Sequence, residues 1–488
     1  MKYPIIIRSI FLLILLSASP IWSAEFYVGK AVADFTPDRP VYLQGQMRTR
    51  ISNKTETPVL ANILALESRE GSKQIDCAIF AALDVCSITV SLNQKIRDEL
   101  KKALPEFDAE NKLILSATHT HTSLATANSY ISDRTDVMTG DEAVVFMARK
   151  IVPGIVAAWK SRVKAQFSYG LGQAVVAYNR RAVYQNGSAI MYGATNTPTF
   201  RAIEGVEDHD VNTMYFWDEK NTLLAMIINV SCPSQMVEGR STVNADFWHP
   251  VRQMIQAKYG KEVCVLGLCG AAGDMSPRPL YQKEAESRMA RLRNIDNLTE
   301  AARRIVCAVE ETYPCAEKAK TPNVPLVHRF AIMDLPQQKI PKELYENFKK
   351  QAESYDKKRK EAKDKGAGGP HVLYAWTHRV VERYEAQQGV ENPTYPVPVH
   401  VLRIGETALC TNPFELYTGF GIQIKARSKA LQTFIVQLAD NRKLGGYVPT
   451  KDAAKRGGYG AIPQSNHVGA EGGQLLVEKT LDLLNPMF

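Results

Sequence analysis

The chain has 488 residues, 45% of them apolar and 23% charged, with 60 Lys and Arg against 51 Asp and Glu for a net charge of +9. This composition is ordinary for a globular protein and excludes a mainly disordered or collagen-like chain. The positive excess is not a nucleic-acid signal: residues 341–365 alone hold nine basic and six acidic residues, Lys2 and Arg8 add two charges, and no basic stripe interleaved with aromatics occurs.

Residues 1–8 are short and basic, 10–16 (IFLLILL) are apolar, and the small residues Ser17, Ala18, Ser19, Ser23 and Ala24 follow. This is the pattern of a signal peptide over 1–23, and its apolar run is too short to span a bilayer. The chain is therefore expected to be exported, either secreted or periplasmic. Apolar runs predict strands over 59–66, 75–83 and 112–117, with a helix over 91–104. A long helix follows over 141–163, then a Gly-broken strand pair over 165–176. Strands are expected over 213–217, 223–230 and 263–268, with helices over 247–259 and 284–311. Residues 341–370 read as a charged helical excursion laced with i,i+4 acid–base pairs. The last third predicts strands over 399–404, 408–410 and 433–439, and helices near 415–429 and 470–484. The alternation argues α/β. With no Pro/Ser linker, residues 24–488 are expected to form one large mixed-sheet body with helices packed on the sheets.

The eight cysteines are sparse for this length and mostly lie in apolar runs, so most read as buried free thiols. Cys307 and Cys315 are a candidate loop-closing pair.

Three strand-to-loop transitions collect chemistry, at the strand ends where α/β proteins bind ligands. In the first, the strand KLILSA runs into His119-Thr-His121. In extended backbone, residues two apart face the same way, so both imidazoles can approach one metal ion, or one can ligate while the other bonds substrate. Capping or surface histidines are the alternative. In the second, a buried strand ends in Gly267-Leu-Cys-Gly-Ala-Ala-Gly273-Asp274-Met-Ser276-Pro277. Its glycines let backbone N–H groups approach an oxyanion, and Ser276 is a candidate nucleophile. It matches neither the hydrolase elbow nor a P-loop, and an ordinary tight turn is the plain alternative. The third is Thr411-Asn-Pro-Phe-Glu415, where a Glu at a helix start is commonly a capping residue. Beyond it, Tyr447 and Tyr459 lie among glycines, where Tyr is commonly a packing residue.

Together, in order and spacing, these segments resemble the neutral, non-lysosomal ceramidases in their catalytic domain. FYVGKAVADFTP is similar to that family's opening G-x-A-x-x-D-I-T, the T-H-T-H segment to its T-H-T-H-S-G-P-G-G, and G-D-M-S-P to its G-D-V-S-P. Asn412-Pro-Phe-Glu415 resembles its P-G-E-F, and Tyr447-Val-Pro-Thr450 its Y-(I/V)-T-T. The resemblance implies zinc held by His119 and Glu415, with Tyr447 as a further ligand. It implies Ser276 as nucleophile or water-positioning hydroxyl, with Asp274 of the same segment in the catalytic set. His121 and Tyr459 then contact the scissile carbonyl or its oxyanion.

Two segments depart from the family. Its second zinc histidine lies in N-F-A-x-H-P, whereas this chain reads Asn229-Val-Ser-Cys232-Pro233-Ser-Gln235. Aligned on the proline, Cys232 takes that place, and a thiolate is a competent zinc ligand. His249 and His209 are the alternatives. The S-G-P-G-G loop becomes Thr122-Ser-Leu-Ala-Thr126. The family's C-terminal immunoglobulin-like domain is not expected here. The resemblance implies an exported zinc hydrolase of an amide or ester carbonyl, with ceramide one candidate substrate and membrane contact only peripheral, through the substrate. A same-fold hydrolase of a glycan or acyl-sugar, and an inactive binding homologue, are the alternatives.

Overall fold

The computed structural model describes residues 24–361, 369–443 and 445–488. The signal peptide expected over 1–23 lies outside the described residues.

The first half of the chain builds one sheet from β1 (Glu25–Asp34), β2 (Leu60–Glu70), β3 (Lys73–Leu83), β4 (Leu113–Ala117), β5 (Val163–Gln173), β6 (Asp210–Asp218), β7 (Leu223–Val230) and β8 (Cys264–Cys269). Their spatial order is β8-β7-β6-β5-β1-β2-β3-β4. The centre is antiparallel, while β3–β4 and β7–β8 pair in parallel. Both outer strands, LILSA and CVLGLC, are buried at every position. Coverage on both faces is what lets them read as unbroken apolar runs. The second half builds a four-stranded sheet, β9 (Leu326–Pro336), β10 (Thr394–Ile404), β11 (Thr407–Thr411) and β12 (Gln432–Val436), in that order, with β11–β12 parallel.

The two sheets stack face to face. Phe26, Leu64, Phe80 and Phe216 of the large sheet pack with Leu402, Leu409 and Phe434 of the small one. At about 1.5–3 kcal/mol per fully buried side chain, this layer fixes the sheets against each other. Helices α1 (Val90–Ala103) and α2 (Gly140–Lys160) cover one half of the large sheet's outer face. Helices α3 (Trp248–Tyr259), α4 (Lys283–Leu292) and α5 (Asn297–Lys318) lie at the other half, where α3 and α5 pack on the sheet. Beyond the small sheet lie α8 (Thr418–Arg427) and α9 (Ala470–Leu484). The charged excursion becomes a hairpin of α6 (Lys342–Glu361) and α7 (Gly369–Ala386), joined through Phe348, Ala352, Val380 and Val381.

Several expectations need correction. The Gly-broken strand pair is a single strand, β5. A Cβ at Gly172 would stand 2.8 Å from the Ala308 carbonyl oxygen, so the glycine serves the close approach of α5 and does not break the strand. The helix expected over 284–311 is two, because Asp296 caps α5 by accepting from Thr299 N–H. Cys307 and Cys315 are free and exposed on α5. Helix α7 was not anticipated as a separate element.

Candidate active site

Three parallel strand pairs, β3–β4, β7–β8 and β11–β12, bring their carboxyl ends to one edge of the stacked sheets. Backbone bonds stitch the loops leaving them: Gly270 N–H donates to Val230 O, Gln437 N–H to Cys269 O and Ala117 N–H to Leu438 O. Every candidate loop starts from this edge.

The H-T-H segment does not continue as extended backbone. His119 has φ of +68°, a left-handed conformation that an L residue other than glycine holds only under constraint from its surroundings. Its N–H donates to Val85 O and that of Thr118 to Leu83 O, so the segment runs beside the end of β3. The two rings meet edge to face, centroids 4.8 Å apart. His119 Nδ1 donates to the Cys86 carbonyl at 2.7 Å, which directs the Nε2 lone pair into the site. There Nε2 lies 3.3 Å from His121 Nε2 and 3.4 Å from Glu415 Oε2.

Glu415 is not at a helix start. It lies in a two-residue strand, Glu415–Leu416, paired in parallel with Tyr447–Val448, so Glu415 and Tyr447 are directly opposite. Burial works against the charged carboxylate, but His119, Arg180 and Tyr447 outweigh it and hold Glu415 below the usual carboxylate range. Burial, Glu415 and Tyr459 push the Tyr447 phenol far up. Tyr459 packs edge-on to Tyr447 at 5.4 Å, and burial with Glu415 pushes its hydroxyl up to about 12.

Ser276 is buried in the strand Met275–Ser276, which pairs with Tyr178–Asn179. Its Oγ accepts from Tyr192 OH and from Arg278 N–H, both at 3.1 Å. Burial acts to raise Tyr192, yet Arg180, Ser276 and Arg278 hold it below the ordinary tyrosine value. Asp274 ties the turn down: Oδ1 accepts from Thr418 N–H and Oγ1, and Oδ2 from Asn179 Nδ2. Arg180 joins the two halves of the site, donating to the Gly273 carbonyl at 2.8 Å and to Tyr447 OH at 3.2 Å.

The three candidates for the second histidine's place stand elsewhere. Cys232 Sγ donates to the Val176 carbonyl, and burial drives its thiol far up. His249 opens α3 beside Arg252, and His209 pairs with Glu207 at 3.2 Å. The same loop instead contributes Gln235, whose Nε2 donates to His121 Nε2 at 2.9 Å while its buried Oε1 finds no partner. His121 Nδ1 lies 3.1 Å from Glu238 Oε2 but off the line a hydrogen bond needs. Cys86 also joins the group: its Sγ, His119 and His121 place ligand atoms within 4.8 Å of one another. Burial raises its thiol, but His121 and His119 outweigh this and hold it near 6.

Sequence inspection missed Cys86, Gln235, Arg180 and Tyr192. Cys86 and Gln235 did carry a signal, each lying a few residues past a buried strand. Arg180 and Tyr192 carried none.

The donor set fits a metal ion. Two buried imidazole nitrogens face each other beside a half-buried carboxylate and a buried phenol, with an orphaned amide oxygen next to them. Imidazole with carboxylate is the donor set of catalytic divalent-metal centres. His119 Nε2, Glu415 and Tyr447 are the residues that would hold the ion, with His121 beside them held by Gln235. Cys86 Sγ lies 3.9 Å from His119 Nδ1, the nitrogen already committed to a carbonyl.

No family model and no curated protein matches the sequence. Solved structures do. A ceramidase complexed with C2 superposes with a TM-score of 0.65 at 15% identity, over 94% of this chain and 75% of that chain. This chain has the neutral-ceramidase fold. A neutral ceramidase from Pseudomonas aeruginosa superposes with a TM-score of 0.66 at 16% identity, over 94% of this chain and 74% of that chain. At such identity the likeness is one of fold, so the chemistry rests on the residues of this chain.

Proposed function

We propose that this chain is an exported, zinc-dependent hydrolase that cleaves the amide bond of an N-acylated lipid of the ceramide type. The observation that carries this reading is the meeting of His119, Glu415 and Tyr447, joined through Arg180 to the turn that holds Ser276, on a neutral-ceramidase fold. When bound, zinc polarises a carbonyl and lowers the pKa of an attacking water or hydroxyl.

The chain's own residues supply the rest. Ser276 Oγ accepts two hydrogen bonds, which leaves its own O–H free to point at substrate. The same two donors stabilise negative charge on Oγ as that proton leaves. Tyr459 stays protonated at neutral pH and can donate to a developing oxyanion. Arg180 places a fixed positive charge beside Tyr447 and the turn that carries Ser276. Burial of His119, His121 and Ser276 excludes bulk water and strengthens each of these interactions.

The test is metal content of the purified protein together with turnover of a short-chain N-acyl sphingoid. About one zinc per chain and release of the free amine are expected. Metal-free protein that retains turnover would overturn the metal reading. Turnover of an acyl-sugar with none of the sphingoid amide would move the substrate to the glycan class. Mass spectrometry of the exported protein tests the cleavage after the signal peptide.

A further inference from the structure

Helix α4 is built inside out. Ala285, Arg288, Met289 and Leu292 recur at the i, i+3, i+4, i+7 spacing of one helix face, and all four are exposed. Leu292 is 64% exposed, Met289 40%, and Tyr281 just before the helix 51%. The opposite side carries Lys283, Glu286 and Ser287, and the helix's one buried residue is Ala290. An amphipathic helix of a monomer turns its apolar stripe to the core; this one turns it outward.

The charge around the stripe is positive. Arg304 takes Glu286, and Arg293 adds to the two arginines that hold Glu300. This leaves Lys283, Arg288 and Arg291 without ion pairs among the described residues, against Glu284 as the one unpaired acid of the helix. Beneath α4 lies a cavity of about 490 Å³ whose apolar wall includes Val176, Met236, Pro277 and Leu280. Its wall also includes Tyr192, the residue bonded to Ser276 Oγ.

We infer that the outward face of α4 docks on an anionic lipid surface, with Tyr281, Met289 and Leu292 entering the headgroup region and Arg288 and Arg291 pairing with lipid phosphates. Exposed apolar side chains flanked by unpaired bases are the combination by which an interfacial helix binds such a surface. The docking does not rest on the amide-hydrolase reading.

The experiment is co-sedimentation of the full chain with phosphatidylcholine vesicles, with and without phosphatidylglycerol. Wild type should bind the anionic vesicles and release them as salt is raised. Met289→Asp with Leu292→Asp, and separately Arg288→Glu with Arg291→Glu, should each weaken partitioning about tenfold or more. Both pairs should keep the thermal midpoint and the turnover of a water-soluble short-chain amide. Wild type that ignores anionic vesicles overturns the inference, as does binding unchanged in both variants. A concentration-dependent dimer lost in Leu292→Asp, with no vesicle binding, assigns the face to a second copy and also overturns it. Vesicle binding without amide turnover upholds the docking and rejects the proposed activity.

Discussion

His119 Nε2 and Glu415 Oε2 stand 3.4 Å apart, although one leaves the large sheet and the other the small. The contact exists because β4 and β11 end at the same edge of the stacked sheets. If this pair is the heart of a metal centre, His119→Ala and Glu415→Gln should each reduce bound zinc from about one per chain to near zero after dialysis. Cys86→Ser should keep the ion, since Cys86 faces the committed nitrogen of His119. Metal analysis of the three variants decides it.

Gln235 takes the position at His121 that the aligned residue, Cys232, does not. Gln235→Ala should lower kcat/KM about 10- to 100-fold while leaving the fold intact, the usual range for loss of a group that orients a site imidazole. Cys232→Ala should stay close to wild type in activity. Equal activity of wild type and Gln235→Ala would show that the amide is a bystander.

Ser276→Ala should cut kcat by about a thousandfold or more if the hydroxyl is the nucleophile. Tyr192→Phe removes one of the two hydrogen bonds to Oγ. It should cost about 10- to 100-fold in kcat with KM little changed, because the bond matters most as charge develops on the oxygen. A rise in KM alone would assign Tyr192 to substrate binding instead.

Gly45 has φ of +108°, and a Cβ there would stand 2.3 Å from His121 Cγ. The glycine is the floor on which that imidazole rests. Gly45→Ala should destabilise the protein by about 1–3 kcal/mol and displace His121. A lowered thermal midpoint together with lost turnover is expected, and an unchanged midpoint would refute the packing account.

Behind the site, Asp440 accepts from His400 Nε2 at 2.8 Å, His400 Nδ1 lies 2.9 Å from His328 Nε2, and Arg97 pairs with the same carboxylate. Burial is the main cause that holds both imidazoles below the ordinary histidine value, against the pull of Asp440. The unfolded chain takes up these protons as pH falls through about 6.5, and the folded chain does not. Their contribution to stability is therefore complete above that pH and is lost below it, by up to about 1.4 kcal/mol per pH unit for each group. Urea unfolding at a series of pH values between neutral and mildly acidic should show this decline. Stability that holds constant across the window would rule it out.

The sequence alone determined the local structure and much of the donor set. Unbroken apolar runs marked the buried strands, and the residues just past three of them, His119, Ser276 and Glu415, are in the site. These features depend on neighbours along the chain, which a periodic pattern records. It did not reveal the left-handed turn at His119, the strand pairing that sets Glu415 against Tyr447, or the reach of Arg180 and Tyr192, which flank the antiparallel strands Arg181–Tyr184 and Ala189–Met191.

The loop after β7 shows the reason. Cys232 and Gln235 are three residues apart and equally available to an alignment. Which of them faces His121 depends on how that loop packs against β8 and Val176, and a proline-anchored alignment does not contain that information. The same holds for α4, whose stripe is visible at helical spacing. Whether the stripe faces core or solvent was decided only when α5 and the cavity wall took the inner side.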